Sequence, residues 1–311
     1  MKTLRSLKPT LEETTVFLVA GKGGVGKSTL SCALALSAKN LGHKVALILL
    51  NPSPAANTLK AGLENNPAVA QTATNPIEIL TLKPEEVLID YLQDHGLSAL
   101  GNRLISSGIV SVIATAIPGI KELLILAKIK QMERSGTYDT IILDSPASGH
   151  LVTFLSSPRG LAEIAKVGLL RTQADEVAAL LGDAKRCQLI LVTLAEETPV
   201  EETVQTIAKI KELSNISLGP VIVNGVVPQR TLSAATRSQI EQNASGSPEF
   251  AAFSYLGARR EMQDQNLEAL THKLQEIPSF RLPFIFTDEI TFAHEIALGD
   301  LLLDLSEENN S

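Results

Sequence analysis

The residues with the most recognisable chemistry lie between positions 21 and 29, in the run GKGGVGKST. This run matches the phosphate-loop pattern G-x-x-x-x-G-K-[ST], in which glycines let backbone N–H groups approach phosphate oxygens closely. In that pattern Lys27 would reach the outer phosphates of a nucleoside triphosphate, and Ser28 would offer its hydroxyl to Mg²⁺. The residues expected to contact the nucleotide here are Gly23, Gly24, Val25, Gly26, Lys27, Ser28 and Thr29.

The segments on either side of the loop support this interpretation. Residues 14–20, TTVFLVA, are typical of a buried strand, and residues 30–40 have the composition of a helix. A helix that begins directly behind the loop would point its N-terminal partial positive charge at bound phosphate. The alternative, a glycine-rich turn that binds nothing, is disfavoured because the four fixed positions, the strand and the helix occur together.

Further continuous apolar runs predict strands that are buried on both faces, as in a parallel sheet. The candidate strands are residues 44–50, 77–82, 138–144, 187–194, 221–224 and 280–286. Helical periodicity lies between them, so we expect a three-layer α/β sandwich with a mostly parallel central sheet. Ligands of such sheets bind beyond the carboxyl ends of the strands, where the loop, the turn at Asn51 and Asp144 should meet.

Two long insertions interrupt the alternation of strands and helices. Residues 85–136 and 158–183 are apolar and helical in pattern, and we expect them to pack together as a helical subdomain on one side of the sheet. The whole chain, residues 1–311, would then form a single P-loop domain. Residues 233–257 are polar and rich in small side chains, which predicts a flexible loop.

Composition disfavours several classes of protein. A net charge of −7 and the absence of Trp argue against nucleic acid as the main partner. Residues 104–120 carry no charge, but they are too short and too interrupted to predict a stable membrane span. The first residues contain no apolar run and the chain has only two cysteines, so we expect a cytoplasmic protein without a secretory signal.

A second motif follows the strand predicted at 138–144. An aspartate at the end of such a strand occupies the Walker B position, so Asp144 would hold Mg²⁺ directly or through water. Pro146 and Gly149 would shape a loop that changes conformation when a γ-phosphate arrives or leaves. The alternative is an ordinary turn at a strand end.

Lys22 extends the loop to the pattern K-G-G-x-G-K-[ST], which resembles the deviant phosphate loop of the MinD/ArsA/nitrogenase-iron-protein group of ATPases. The resemblance implies that Lys22 reaches across a dimer to the nucleotide of the other subunit. The run at 144–150 is similar to D-T-A-P-T-G-H-T, the switch II motif of the ArsA/Get family. Asp144, Gly149 and His150 occupy matching positions, whereas Pro146 comes one residue early.

Other segments resemble the same family over nearly the whole chain. They are Pro118-Gly119-Ile120-x-Glu122, Glu196 with Glu201 to Thr203, Val223-Asn224 and Arg259-Arg260-x-x-Gln263. The resemblance implies that Asn224 reads the adenine, that Lys22, Lys27 and Asp144 are catalytic, and that ATP and Mg²⁺ are the ligands. It also implies an ATP-dependent dimer whose helical subdomains form a groove for an apolar client protein, although a plain subdomain core would carry the same pattern.

One departure concerns hydrolysis. The family has D-P-A-x-N after the second strand, and its aspartate orients or activates the attacking water, whereas residues 53–57 here are SPAAN. Ser53 cannot accept a proton as a carboxylate does, and losing a general base typically costs about 10²–10⁴ in rate. We therefore expect ATP binding with slow or absent hydrolysis. The chain would act as a homodimer, or as a heterodimer with a related subunit that keeps the aspartate.

Three functions other than an ArsA/Get-type ATPase are also compatible with a phosphate loop. The chain could be a catalytically silent ATP-binding regulatory subunit, for which turnover is the discriminating measurement. A MinD/ParA-like positioning ATPase is disfavoured because residues 298–311 are acidic, and a P-loop kinase has no role for Lys22. The chain has no C-x-x-C, so Cys32 and Cys187 predict no zinc site, iron–sulfur cluster or arsenite site.

Overall fold

A computed structural model describes residues 3–66, 76–94, 118–213, 215–228, 247–274 and 276–304. Its strands are β1 (Val16–Gly21), β2 (Val45–Leu49), β3 (Ile77–Thr81), β4 (Thr140–Ala147), β5 (Cys187–Leu194), β6 (Leu218–Val226) and β7 (Ser279–Pro283). They form one seven-stranded sheet in the order β3-β2-β4-β1-β5-β6-β7. Every neighbouring pair is parallel, which confirms the expected α/β fold.

The helices of the described ranges cover both faces of this sheet. They are α1 (Lys8–Glu13), α2 (Lys27–Asn40), α3 (Pro54–Asn65), α4 (Pro84–Asp94), α5 (Ile120–Ser135), α6 (Ser148–Ile164), α7 (Leu169–Gly182), α8 (Glu197–Glu212), α9 (Pro248–Lys273) and α10 (Phe292–Leu303). Helices α1, α2, α3 and α10 contribute to one core, and α4 to α9 contribute to the other. The structure therefore has the three layers predicted from the sequence.

The alternation of side chains along β1 explains why the strand is apolar throughout. Val16 and Leu18 belong to the core beneath α4 to α9, whereas Phe17 and Val19 belong to the core beneath α1, α2, α3 and α10. Successive side chains of a strand point to opposite faces, so a strand covered on both faces needs apolar residues at every position. The polar residues of this segment therefore begin only at the loop, where β1 ends.

The prediction that β4 ends at Asp144 was wrong, because the strand continues to Ala147. Val19 pairs with Asp144 and Gly21 pairs with Ala147, so β1 advances two residues while β4 advances three. The extra residue is a bulge in β4, and a bulge is one of the few places where a strand accommodates a proline such as Pro146.

The insertions predicted as a helical subdomain include α4, α5 and α7. These helices and α6 pack against one another, and their buried side chains share one core with the strands. In the described residues they therefore form an outer layer of the sandwich. Residues 95–117 lie outside the described ranges, so a separate subdomain and a client groove stay predictions.

The flexible loop predicted at 233–257 was wrong for its last ten residues. Helix α9 begins at Pro248, and the Ser247 hydroxyl accepts a hydrogen bond from the Phe250 N–H at 3.1 Å. Serine followed by proline, a pattern typical of loops, is also a helix start signal, because serine caps the helix and proline suits its first turn. Residues 229–246 lie outside the described ranges.

Within those same ranges, none of the helices has both the length and the apolar character needed to cross a membrane. The uncharged stretch at 104–120 falls almost entirely outside the described residues, so the expectation for that stretch stays a prediction.

Helix α10 carries a buried acid against the helix that follows the loop. Glu295 is 0% exposed, and neither of its carboxylate oxygens has a hydrogen-bond partner among the described residues. Two contacts tie α10 to α2: the Ser37 hydroxyl donates to the Gly299 carbonyl at 2.8 Å, and the Asn40 amide donates to Asp300 at 3.1 Å. Burial raises the pKa of Glu295 from 4.5 to about 7.

We predict that this carboxyl makes the fold less stable as the pH rises. The unfolded chain releases the Glu295 proton near pH 4.5 and the folded chain releases it near 7, so stability falls between these values and is level above them. Glu295→Gln should remove this dependence. Between pH 4.5 and about 7, the free energy of unfolding of the variant should rise by about 3 kcal/mol relative to that of the wild type. Urea unfolding at several pH values measures this difference.

A matched control for that experiment is Glu289→Gln, which makes the same change at an exposed acid just before α10. It should leave the pH dependence of the wild type intact. A Glu295→Gln variant whose unfolding free energy follows the wild-type pH profile would contradict the prediction.

Candidate nucleotide site

The loop between β1 and α2 lies at the carboxyl edge of the sheet, with β4 on one side of β1 and β5 on the other. Gly24 and Gly26 adopt left-handed backbone angles, with φ of 86° and 91°, which side chains other than glycine rarely adopt. Gly26 is the N-cap residue of α2, so the helix begins at Lys27 with its N-terminus against the loop. Gly23 and Gly24 are exposed, and Thr29 is half-buried in the first turn of the helix.

The Lys27 side chain extends back over the loop residues that precede it. Its Nζ donates a hydrogen bond to the carbonyl oxygen of Lys22 at 2.8 Å, so the ammonium group already faces the centre of the loop. Burial lowers the pKa of Lys27, and the negative charge of Asp144 opposes that shift. A phosphate oxygen in the loop would offer the ammonium group a stronger, charged acceptor than a carbonyl.

Lys22 points away from the centre of the loop. Its Nζ lies 2.6 Å from Oε1 of Glu202 on helix α8. The other oxygen of Glu202, Oε2, is buried and has no hydrogen-bond partner in the described part of the chain. The side chains of Lys22 and Glu202 are 43% and 37% exposed, so solvent weakens the attraction between their charges. The resemblance places Glu202 in a segment typical of the family but predicts no contact for its side chain.

Ser28 and Asp144 come together as the sequence predicted they should. The Ser28 hydroxyl donates to Oδ2 of Asp144 at 2.6 Å, and the Ser31 hydroxyl lies 3.4 Å from Oδ1. Burial raises the pKa of Asp144, against the opposing effects of the Ser28 hydrogen bond and the charge of Lys27. Adjacent hydroxyl and carboxylate oxygens are the donors that Mg²⁺ prefers, so these residues fit a magnesium site.

Asn224 reaches the loop from strand β6. Its Nδ2 donates to the carbonyl oxygen of Val25 at 3.0 Å. A side-chain carbon added at Gly26 would lie 2.4 Å from the same nitrogen, so the amide packs directly against the loop. This contact was not predicted, because the resemblance assigns Asn224 to the base and residues far apart in sequence give no signal of a shared contact.

Ser53 occupies the place of the missing aspartate and has a structural contact of its own. It is the N-cap residue of α3, and its hydroxyl accepts a hydrogen bond from the Ala56 N–H at 3.5 Å. The side chain is only 5% exposed. Aspartate is an equally good N-cap, so the helix itself does not require serine.

His150 lies on the exposed surface in the first turn of α6. The two cysteines, Cys32 and Cys187, are buried, and burial raises the pKa of both thiols. Buried thiols with raised pKa values are poor metal ligands and poor nucleophiles.

The family model of the anion-transporting ATPases, ArsA, matches residues 14–171. ATPase BagA of Mycobacterium tuberculosis is 30% identical over 229 residues, which are 70% of this chain and 67% of BagA. The chain belongs to the ArsA/Get family of ATPases. This membership confirms the resemblance inferred from the motifs.

Fungal members of the ArsA/Get family are also similar to the chain. ATPase GET3 of Pyricularia oryzae is 33% identical over 178 residues, covering 54% of this chain and 51% of that protein. ATPase get3 of Aspergillus niger is 25% identical over 311 residues, covering 86% of this chain and 84% of that protein. The similarity thus extends well beyond the phosphate loop.

Replacing each of two loop glycines by alanine should separate backbone strain from crowding. Gly24→Ala adds a carbon with nothing within 4 Å, whereas the carbon in Gly26→Ala meets the Asn224 amide. Both changes strain a left-handed residue by about 1–2 kcal/mol. We therefore predict that Gly26→Ala lowers the unfolding free energy more than Gly24→Ala does, as measured by denaturant titration without nucleotide.

Asn224→Ala provides the test of the cause. Added to Gly26→Ala, it should restore the part of the unfolding free energy that was lost to crowding. The remaining loss should then equal that of Gly24→Ala, which reflects backbone strain alone. Equal losses for the two alanine variants would show that Asn224 does not crowd Gly26.

Proposed function

We propose that this protein binds ATP with Mg²⁺ between the loop and Asp144, and that it hydrolyses ATP slowly. The observation that carries the proposal is the array of Lys27, Ser28 and Asp144 at the carboxyl edge of the sheet, within hydrogen-bond reach of one another or of the loop. Membership of an ATPase family supports it, because the family model covers residues 14–171, a range that includes the loop and Asp144.

Each residue of the array has a distinct role in this proposal. The N–H groups of Gly23 to Thr29 surround the phosphates, and Lys27 exchanges the Lys22 carbonyl for phosphate oxygens. Ser28 and Asp144 hold Mg²⁺, which would neutralise charge on the phosphates. Asn224 contacts the adenine through the part of its amide that Val25 does not use.

The hydrolytic step lacks a carboxylate at position 53. A water that attacks the γ-phosphate must lose a proton, and a carboxylate in this turn would orient the water and accept hydrogen bonds from it. The Ser53 hydroxyl is a weaker acceptor and is already engaged as a helix cap. The enzyme would therefore depend on positioning and charge stabilisation, which supply most of the catalysis of phosphoryl transfer.

We further propose that the chain acts as a cytoplasmic dimer in which Lys22 of one subunit reaches the nucleotide of the other. Lys22 must first leave Glu202, and the exposure of the pair makes that exchange inexpensive. The partner is a second copy or a related subunit that retains the aspartate. Closure would move switch II, residues 144–150, and change the shape of the helical layer, which could handle an apolar client.

A second candidate function is a silent regulatory subunit that binds ATP without turnover. Ser53 favours it, because the substitution removes a hydrolytic group and leaves the binding groups Lys27, Ser28 and Asp144 in place. The heterodimer partner would then supply the hydrolysis.

Turnover separates these two functions and tests the role of position 53. Ser53→Asp should raise the rate of phosphate release by roughly 10²-fold or more if a carboxylate is what the site lacks. Ser53→Asn is the matched control, because asparagine also caps a helix but accepts no proton. Lys27→Ala should abolish both turnover and tight ATP binding.

The results distinguish the candidates clearly. Slow turnover in the wild type that Lys27→Ala eliminates supports the ATPase, and ATP binding without any turnover supports the regulatory subunit. An equal rate for Ser53→Asp and Ser53→Asn would refute the argument from the missing carboxylate. A wild-type chain that binds no ATP would refute both functions.

The proposed release of Lys22 leads to a prediction about dimer formation. Glu202→Gln removes the charge that holds Lys22 in its own subunit, so dimers should form at lower protein concentration with ATP present. Glu201→Gln is the control, because this neighbouring acid pairs with Lys273 instead. Sedimentation velocity would measure the change, and weaker association of the Glu202 variant than of the control would contradict the prediction.

A further inference from the structure

The end of strand β6 is irregular at the residue that touches the loop. Val223 pairs with Arg281 and Val226 pairs with Pro283, so β6 advances three residues while β7 advances two. The extra residue forms a bulge at Asn224 and Gly225, and Gly225 has a φ of 67°. A bulge redirects a side chain but leaves backbone groups without partners in the ladder.

Gln263 of helix α9 supplies a partner to one backbone group of the bulge and to one just after the strand. Its Nε2 donates to the Gly225 carbonyl at 2.9 Å, and its Oε1 accepts from the Val227 N–H at 2.8 Å. The side chain is 1% exposed, so it is a buried group whose donor and acceptor are both used. Arg260, one turn earlier, donates to the Val227 carbonyl at 2.6 Å and is itself held by Asp264.

The two Gln263 hydrogen bonds end on Gly225, which follows Asn224 directly, and on Val227, the first residue after β6. They therefore hold the backbone from which the Asn224 side chain extends to the Val25 carbonyl, 3.0 Å away. Without these bonds the part-buried Gly225 carbonyl and the buried Val227 N–H would lose these partners, which is costly. Relaxation of the bulge into a regular ladder would turn Asn224 away from the loop.

We infer that Gln263 is a positioning residue for recognition of the nucleotide base, acting through Asn224 without touching the ligand. This inference rests on the proposed binding of ATP at the loop. The Asn224 amide keeps a second N–H and its Oδ1, a donor and an acceptor that match N7 and the amino group of adenine. Guanine presents acceptors at both positions, so a correctly placed Asn224 selects adenine.

The experiment compares binding of ATP and GTP to the full chain by calorimetry with Mg²⁺. Gln263→Leu should reduce the ratio of the two affinities by about tenfold or more, because a bidentate base contact carries discrimination of that size. Gln265→Leu is the matched control, since it makes the same change two residues on at an exposed position of α9. The control should keep the wild-type ratio.

A double-variant cycle separates positioning from a general effect on the fold. Asn224→Ala should reduce the discrimination by itself, and adding Gln263→Leu to it should produce no further loss. Independent losses that multiply in the double variant would overturn the inference, because Gln263 would then act by another route.

Gln263→Glu keeps the test open if the leucine variant fails to fold. The ionised carboxyl accepts from the Val227 N–H but repels the Gly225 carbonyl, whereas the protonated carboxyl can donate to that carbonyl. The variant should therefore discriminate between ATP and GTP at low pH and lose discrimination at high pH, relative to the wild type at each pH. A wild-type ratio at every pH would overturn the inference.

Failure of the proposed function would look different from failure of this inference. A wild-type chain that binds no ATP overturns both. A wild-type chain that prefers ATP, together with Gln263 variants that retain the full preference, overturns only the role of Gln263.

Discussion

The hydrogen bond between the Ser28 hydroxyl and the Asp144 carboxylate is the interaction on which the rest of the site depends. It joins the first turn of α2 to strand β4, and thereby sets the loop relative to the carboxyl edge of the sheet. Burial disfavours the charged form of Asp144, while the Ser28 hydrogen bond and the charge of Lys27 favour it. Lys27 and Asp144 thus bring opposite charges close together at the carboxyl edge of the sheet.

Two bulges adapt a regular parallel sheet to this purpose. One lies in β4 immediately after Asp144, and the other lies in β6 at Asn224. Each occurs where a polar side chain must reach the loop from a strand that is otherwise buried. Gln263 of α9 hydrogen-bonds Gly225 in the β6 bulge and Val227 just after it, so a helix from a later part of the chain packs its amide beside Asn224.

Lys22 and Ser53 mark the points at which the isolated chain differs from an assembled enzyme of the proposed kind. Lys22 is held by Glu202 of its own chain, and Ser53 caps α3. Both side chains have local partners, so neither requires a nucleotide or a second subunit to be stable. Under the proposed function, Lys22 would exchange Glu202 for the nucleotide of a second subunit.

The parallel α/β fold, the phosphate loop and the family could be predicted from the sequence. These follow from local patterns, because continuous apolar runs define buried strands and the loop motif occupies consecutive residues. Only the folded chain shows the contact of Lys22 with Glu202, the contact of Asn224 with Val25, the hydrogen bond of Ser28 to Asp144 and the hydrogen bonds of Gln263 at the β6 bulge. Lys22 and Glu202 lie 180 residues apart in the sequence, and Val25 and Asn224 lie 199 residues apart. Side-chain contacts between remote segments depend on strand register and bulges, which no local pattern in the chain encodes.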